Sequence, residues 1–131
     1  MEKYTAYGKS KKEYSKICHE LFSMNFKVHE LQRVPRESGI YAIKEQKKII
    51  YVGFSDKDIR GRLQSHVRGN DGQKIGQYLK RKHGPQLSTI QISYIEMEDA
   101  RCIEGQFIQC VADRQGSWPK FNLKKGNSCE Q

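Results

Sequence analysis

The stretch Gly39–Gly53, GIYAIKEQKKIIYVG, constrains the fold more than any other part of this chain. Two apolar runs rich in β-branched and aromatic residues flank a charged turn, the pattern of a β-hairpin. With the turn centred on Gln46, Tyr41 lies five residues before it and Tyr51 five after. This register predicts the two tyrosines as directly opposed neighbours on one sheet face, about 5 Å apart at Cβ. Ile40, Ala42, Ile50 and Val52 then take the other face and bury against helices. An aromatic pair that stabilises the hairpin accounts for both tyrosines. The nearby glycines, Gly39 and Gly53, open a second reading: glycine weakens a strand but lets another backbone or a ligand come close.

The flanking patterns are mostly helical. Lys9 to Met24 carries Tyr14, Ile17, Cys18, Leu21 and Phe22 at helical spacing. An extended piece, FKVHEL, and the turn VPRESG lead into the hairpin. Beyond it, Ser55 and Asp56 are candidate N-caps for a helix with the stripe Ile59, Leu63 and Val67. RGNDG breaks that helix, Gln73 to His83 forms another, and LSTIQISYIEM reads as a third strand. A last helix starts near Glu98, where acidic residues suit the positive end of the helix dipole, and stops around Gly116. The predicted fold class is α+β, a short antiparallel sheet with helices packed around it. A chain of 131 residues forms a single domain, with residues 1–33 an N-terminal helical extension.

Charge narrows the function. Lys+Arg 24 against Asp+Glu 15 leaves a net +9, which suits a polyanionic partner, nucleic acid before an anionic membrane surface. Lys57 to His83 holds eight Lys or Arg against Asp58 and Asp71, whereas Gly84 to Asp113 sets Arg101 against five acids. Such segregation predicts one basic face. No run has the length of a membrane span, and no N-terminal segment resembles a signal peptide. Cys18, Cys102, Cys110 and Cys129 show no zinc spacing and read as reduced thiols of an intracellular protein, in the cytoplasm or with DNA in the nucleoid or nucleus.

Four further residues invite a functional and a structural reading. Arg62 and His66 share a helix face at i, i+4, as solvated pairs often do. Glu104 shares a face with Phe107, Ile108 and Val111. A carboxylate there is expensive without a cation, which a salt bridge or a metal could supply. Asn122 in PKFN suits a turn.

Together these residues form a recognisable order. GIY at Gly39–Tyr41 followed by YVG at Tyr51–Gly53 resembles the GIY-YIG nuclease superfamily. IRGRLQSHV resembles the family's arginine-bearing helix, with Arg62 at the catalytic arginine and His66 at the position of a histidine or tyrosine. Glu104 in ARCIEGQFIQ matches the metal-binding glutamate, and Asn122 the terminal asparagine. The resemblance covers about residues 34–126. YVG stands for YIG, and the spacing from Glu104 to Asn122 is longer than usual, with DRQGSW as a small insertion or helix extension.

The resemblance implies a three-stranded antiparallel sheet flanked by helices, and hydrolysis of DNA phosphodiesters with one divalent cation, Mg²⁺ or Mn²⁺. It assigns the metal to Glu104, the phosphate to Arg62 and the general base to Tyr51, with Tyr41 orienting water or phosphate. His66 supports the transfer or binds phosphate, and Asn122 orients its neighbours. Lys57, Arg60, Arg68, Lys74, Lys80, Arg81 and Lys82 would supply the DNA-binding surface. The cluster at 80–82 also suits a helix C-terminus. Duplex or branched DNA is the expected partner, and specificity falls to the domain itself, a homodimer or a protein partner. The competing readings are a binding or structure-recognition module that keeps the fold without cleavage, and an accessory nuclease domain active only with a partner.

Overall fold

The computed structural model describes residues 4–5, 11–69, 72–82 and 84–122. The expected helix end at His83, the centre of the RGNDG break, residues 123–126 of the expected core and Cys129 lie outside them.

Three strands make the sheet: β3 (Gly39–Glu45), β4 (Lys48–Ser55) and β5 (Ile90–Glu98). β3 is central and antiparallel to both others. Two two-residue strands join the outer side of β5, β1 (Tyr4–Thr5) in parallel and β2 (Phe26–Lys27) antiparallel. The sheet therefore has two more short strands than expected. FKVHEL is extended only in its first two residues, and Val28–Arg33 winds into a 3-10 turn with Leu31 buried.

Helices cover both faces. On one side lie α1 (Lys11–Ser23) and α4 (Ala100–Gln115), whose Ile17, Leu21, Ile103, Phe107 and Val111 pack on Ile40, Ala42, Val52 and Ile95. On the other lie α2 (Ile59–Arg68) and α3 (Lys74–Lys80), whose Ile59, Leu63, Ile75 and Leu79 pack on Tyr41, Ile43, Ile90 and Ile92. The three-layer arrangement gives each strand face its own apolar partner.

The hairpin register departs from the sequence expectation, and the departure decides where Tyr51 points. Gln46 and Lys47 form the two-residue turn, both with positive φ, so Glu45 pairs with Lys48 and Lys44 with Ile49. Positive φ at both central residues is the conformation of a tight hairpin turn whose twist matches that of the strands. Continued unbroken, this register would set Tyr51 opposite Ala42, on the face away from Tyr41. A bulge intervenes after Ile43. Ile43 then pairs with Tyr51 and Tyr41 with Gly53, which brings both tyrosines to one face as diagonal rather than opposed neighbours. Ile50 consequently belongs to the tyrosine side, and Ile49 takes the place expected for it on the other.

Lys44 is buried, although no local pattern in the sequence marks it. Its ammonium donates to the carbonyls of Phe22 (3.1 Å) and Met24 (2.5 Å). It thereby closes the C-terminus of α1, where free carbonyls concentrate negative charge. Burial pulls its pKa down to about 8.

Candidate active site

Helix α2 begins where Asp58 accepts a hydrogen bond from the Gly61 amide (2.9 Å), so the cap is Asp58 rather than Ser55 or Asp56. Ser55 shapes the approach instead, its hydroxyl accepting from the Asp58 amide at 2.9 Å. The buried stripe of α2 is Ile59, Leu63 and His66, with Val67 only partly covered. A histidine thus occupies the third inward position, where the apolar pattern placed Val67.

That inward turn brings His66 to Tyr41. The tyrosine hydroxyl lies 2.6 Å from Nε2, and both side chains are fully buried. Tyr51 completes an aromatic triangle, 6.2 Å from Tyr41 and 5.3 Å from His66 between ring centroids, the Tyr51 and imidazole planes crossing at 73°. The Tyr51 hydroxyl donates to Gln73 Oε1 at 3.1 Å. Gln73 stands at the N-cap of α3, and nothing local in the sequence marks it, because a lone glutamine carries no spacing signal.

The two glycines have separate reasons. A Cβ on Gly53 would lie 2.6 Å from the Tyr41 hydroxyl and 2.8 Å from Tyr51 Cε2. Gly53 is therefore the floor on which the two tyrosine rings converge. A Cβ on Gly39 would strike the Ile95 carbonyl at 2.3 Å, so that glycine admits the neighbouring strand.

Charge surrounds the Tyr41 hydroxyl. Burial raises its pKa well above the usual value, and the negative charges of ionised Tyr51 and Glu104 push the same way. Arg62 opposes them through its charge and a hydrogen bond to the hydroxyl. Arg62 itself is partly exposed, while Glu104, on α4, is nine-tenths buried. Two predicted residues, Arg62 and His66, thus hydrogen-bond the hydroxyl of a third, while Tyr51 and Glu104 influence it through charge.

Asn122 reaches the same region through the backbone. Its Oδ1 accepts from the Val52 amide and its Nδ2 donates to the Val52 carbonyl, both at 2.8 Å. Two more groups continue this cover along β4: the Phe121 amide donates to the Ile50 carbonyl at 2.8 Å, and the Gln115 amide group pairs with Ile49 in both directions. The outer edge of β4, otherwise a row of free backbone groups, is occupied by side chains and tail. Asn122 is held between Val52 and the Trp118 indole N–H, which donates to its carbonyl at 2.6 Å.

The family model of the GIY-YIG catalytic domain matches residues 37–114, more than half of the chain. The chain belongs to the GIY-YIG nuclease family. A curated relative, UvrABC system protein C of Fervidobacterium nodosum, is 36% identical over 50 residues, a segment covering 38% of this chain and 8% of that protein. The chain thus spans only a small part of the length of the relative it matches. No solved structure matches at a significant level. GIY-YIG nucleases generally depend on a divalent metal, and the family acts on DNA. The N-terminal helix α1 lies outside the matched residues.

The predicted DNA-binding residues divide by what they already do. Lys57, Arg68, Lys74, Lys80 and Arg81 are exposed along α2, α3 and their ends. Arg60 Nε donates to the Val34 carbonyl at 2.6 Å and fixes α2 to the segment before the hairpin. Lys82 pairs with Glu45 at 2.8 Å and lies over the Tyr78 ring. No described helix is long and apolar enough to cross a membrane. Cys102 is disulfide-bonded, against the expectation of four reduced thiols; Cys18 and Cys110 are free.

A metal would find a sparse site. Among the described residues, no group of three or more His, Cys, Asp or Glu side chains gathers as a cage. One nearly buried carboxylate, Glu104, does not suit zinc, which takes nitrogen and sulfur ligands. It fits Mg²⁺ or Mn²⁺, which accept one carboxylate and complete their shells with water and phosphate oxygens.

Proposed function

We propose that this protein is a divalent-metal-dependent endonuclease that hydrolyses DNA phosphodiester bonds at a site drawn from β3, β4, α2 and α4. The observation that carries the reading is the buried Tyr41–His66 hydrogen bond, with Arg62 bonded to the same hydroxyl, Tyr51 packed against both rings and the Glu104 charge felt at Tyr41. A cross-strand aromatic pair that only stabilised the hairpin would need neither the buried imidazole nor the two opposite charges.

Phosphodiester hydrolysis needs a base for the water, positive charge on the phosphate oxygens and stabilisation of the departing 3′ oxygen. Arg62 presents a planar guanidinium that can engage two phosphate oxygens. Tyr51, the more exposed tyrosine, takes the proton from water; its phenol is a weak base at neutral pH, and cations on the bound substrate's side favour its phenolate. Tyr41 remains a phenol, because burial disfavours its anion, and from a buried position fixed by His66 it orients the water or phosphate indirectly, through Arg62 and Tyr51. Glu104 would hold the metal, which would supply positive charge to stabilise the phosphate and the departing oxygen. Asn122 keeps the β4 edge, and with it Tyr51, in place.

Exposed Lys57, Arg68, Lys74, Lys80 and Arg81 bind the DNA backbone. Arg60 and Lys82 add positive charge from positions already tied to the protein. Cleavage assays on duplex, flap, fork, junction and RNA substrates, with Mg²⁺ and with chelator, test this reading. Metal-dependent products from one or more DNA substrates are expected. DNA binding without products on any of them would favour a recognition module instead.

A further inference from the structure

Two free cysteines meet on the side of the sheet away from the site. Cys18 of α1 is fully buried in the core, and Cys110 of α4 is half-buried and packs against the same cluster. The Cys18 thiol donates a hydrogen bond to the Cys110 sulfur. Arg114, one turn further along α4, also hydrogen-bonds the Cys110 sulfur. Its guanidinium is held across α1 by the Ser15 carbonyl (2.8 Å) and His19 Nδ1 (3.2 Å), with Phe22 beneath it. Asp113 is the opposing charge nearby. Neither thiol has a part in the proposed cleavage.

We propose that Cys110 and Cys18 are a peroxide-sensitive thiol pair whose disulfide latches α1 onto the catalytic domain. The division of labour follows from placement. Cys110 is reachable from solvent and has a cation and a thiol donor beside it, which pull its pKa below the usual range, the Cys18 hydrogen bond most strongly. Cys18 is moved the other way by that same hydrogen bond and by burial, and stays a thiol. A reactive thiolate beside a protected partner is the arrangement of a sensing and a resolving cysteine.

The chemistry balances with hydrogen peroxide as oxidant. The Cys110 thiolate attacks one peroxide oxygen, the O–O bond breaks, and hydroxide leaves and takes up the thiol's proton as water. Cys110 is then a sulfenic acid. The Cys18 sulfur attacks the Cys110 sulfur as it loses its proton, the S–O bond breaks, and a second water leaves. Two thiols are oxidised by two electrons and one peroxide is reduced. The link ties residues that flank the three main strands in sequence, so α1, outside the family match, becomes covalently fixed to the helix that carries Glu104.

The test uses the full chain, hydrogen peroxide and peptide mapping without reduction. The expected result is a new link from the tryptic peptide 17–27 to the peptide 102–114, which already carries the Cys102 disulfide, assigned to Cys110 by fragmentation and reversed by a thiol reductant. Cys18→Ser should instead accumulate a dimedone-reactive Cys110, and Cys110→Ser should leave Cys18 unoxidised. Hydrogen exchange in α1 should slow on oxidation of the wild type. Peroxide treatment that leaves both wild-type thiols alkylatable, or takes Cys110 directly to sulfinic acid, would overturn the pair, whether or not the variants fold. Cross-linking with unchanged exchange in α1 would overturn the latch.

Discussion

The Tyr41 hydroxyl and His66 Nε2 lie 2.6 Å apart with no access to solvent. Burial of one partner without the other is costly, because a polar group left unpaired in the interior loses about 1–3 kcal/mol. His66→Phe should therefore lower stability on that order and displace Tyr41, reducing cleavage. Tyr41→Phe should disturb stability by a similar amount while leaving DNA affinity near wild type. Chemical denaturation of both variants, with nicking rates alongside, checks the pair. Loss of activity in His66→Phe with unchanged stability would mean that His66 acts on substrate rather than through Tyr41.

Tyr51 carries the proton transfer in this account, so Tyr51→Phe should slow cleavage about 10²- to 10⁴-fold, the usual range for a general base. The fold should survive, since the change removes one hydroxyl and its bond to Gln73. Cleavage by Tyr51→Phe near the wild-type rate would refute the assignment. A larger loss in Tyr41→Phe would exchange the two roles.

Gly53 supports both rings, and Gly53→Ala should disrupt the site more than the sheet. The added methyl meets Tyr41 and Tyr51 within 2.8 Å, so the rings must move. A fall in cleavage of at least tenfold with a modest loss of thermal stability is expected, the reverse of a purely structural glycine. A variant as active as wild type would show that ring placement is not limiting.

Lys44 gives the protein a stability trend at high pH. Its pKa is about 8 in the folded protein against 10.5 for an ordinary lysine. Between those values the unfolded chain binds more protons, so stability contributed at this site rises as pH goes from about 8 toward 10.5. Below pH 8 both states are charged and the slope vanishes. Urea unfolding of wild type and Lys44→Met at pH 7.5 and 9.5 isolates this contribution from that of the tyrosines. A wild-type advantage that shrinks over this interval would contradict the sign.

The sheet, the helices and the order of site residues were legible in the sequence, because alternation and helical spacing survive in a single chain. The hairpin register was not. Tyr41 and Tyr51 share a face only through a bulge between Ile43 and Lys44, and a turn of Gln46 and Lys47 lacks the Asn-Gly signature that would announce its type. His66 read as a residue beside the apolar stripe, and only packing shows it as part of that stripe. Gln73, Gln115 and Lys44 act on backbone or side-chain groups distant in sequence, so nothing local marks them. Arg60 and Lys82 illustrate the converse: a charge run shows where cations concentrate, but not which are already engaged.

DNA binding should be largely electrostatic. The exposed cations Lys57, Arg68, Lys74, Lys80 and Arg81 predict an affinity that falls steeply with salt, as release of counterions from DNA requires. Lys80→Glu with Arg81→Glu should flatten that dependence and weaken binding to all sequences alike. Affinity that barely changes between low and high salt would remove these residues from the interface.

The central claim, metal-dependent cleavage at the Tyr41–Arg62–Glu104 site, is tested most directly by measuring plasmid nicking and DNA affinity together for wild type and Glu104→Ala, each with Mg²⁺ and with chelator. Wild type should nick only with Mg²⁺. Glu104→Ala should not nick in either condition yet bind DNA at least as tightly, because the change removes the metal's carboxylate and a negative charge that repels phosphate. Metal-dependent nicking retained by Glu104→Ala would take Glu104 out of the site and contradict the account.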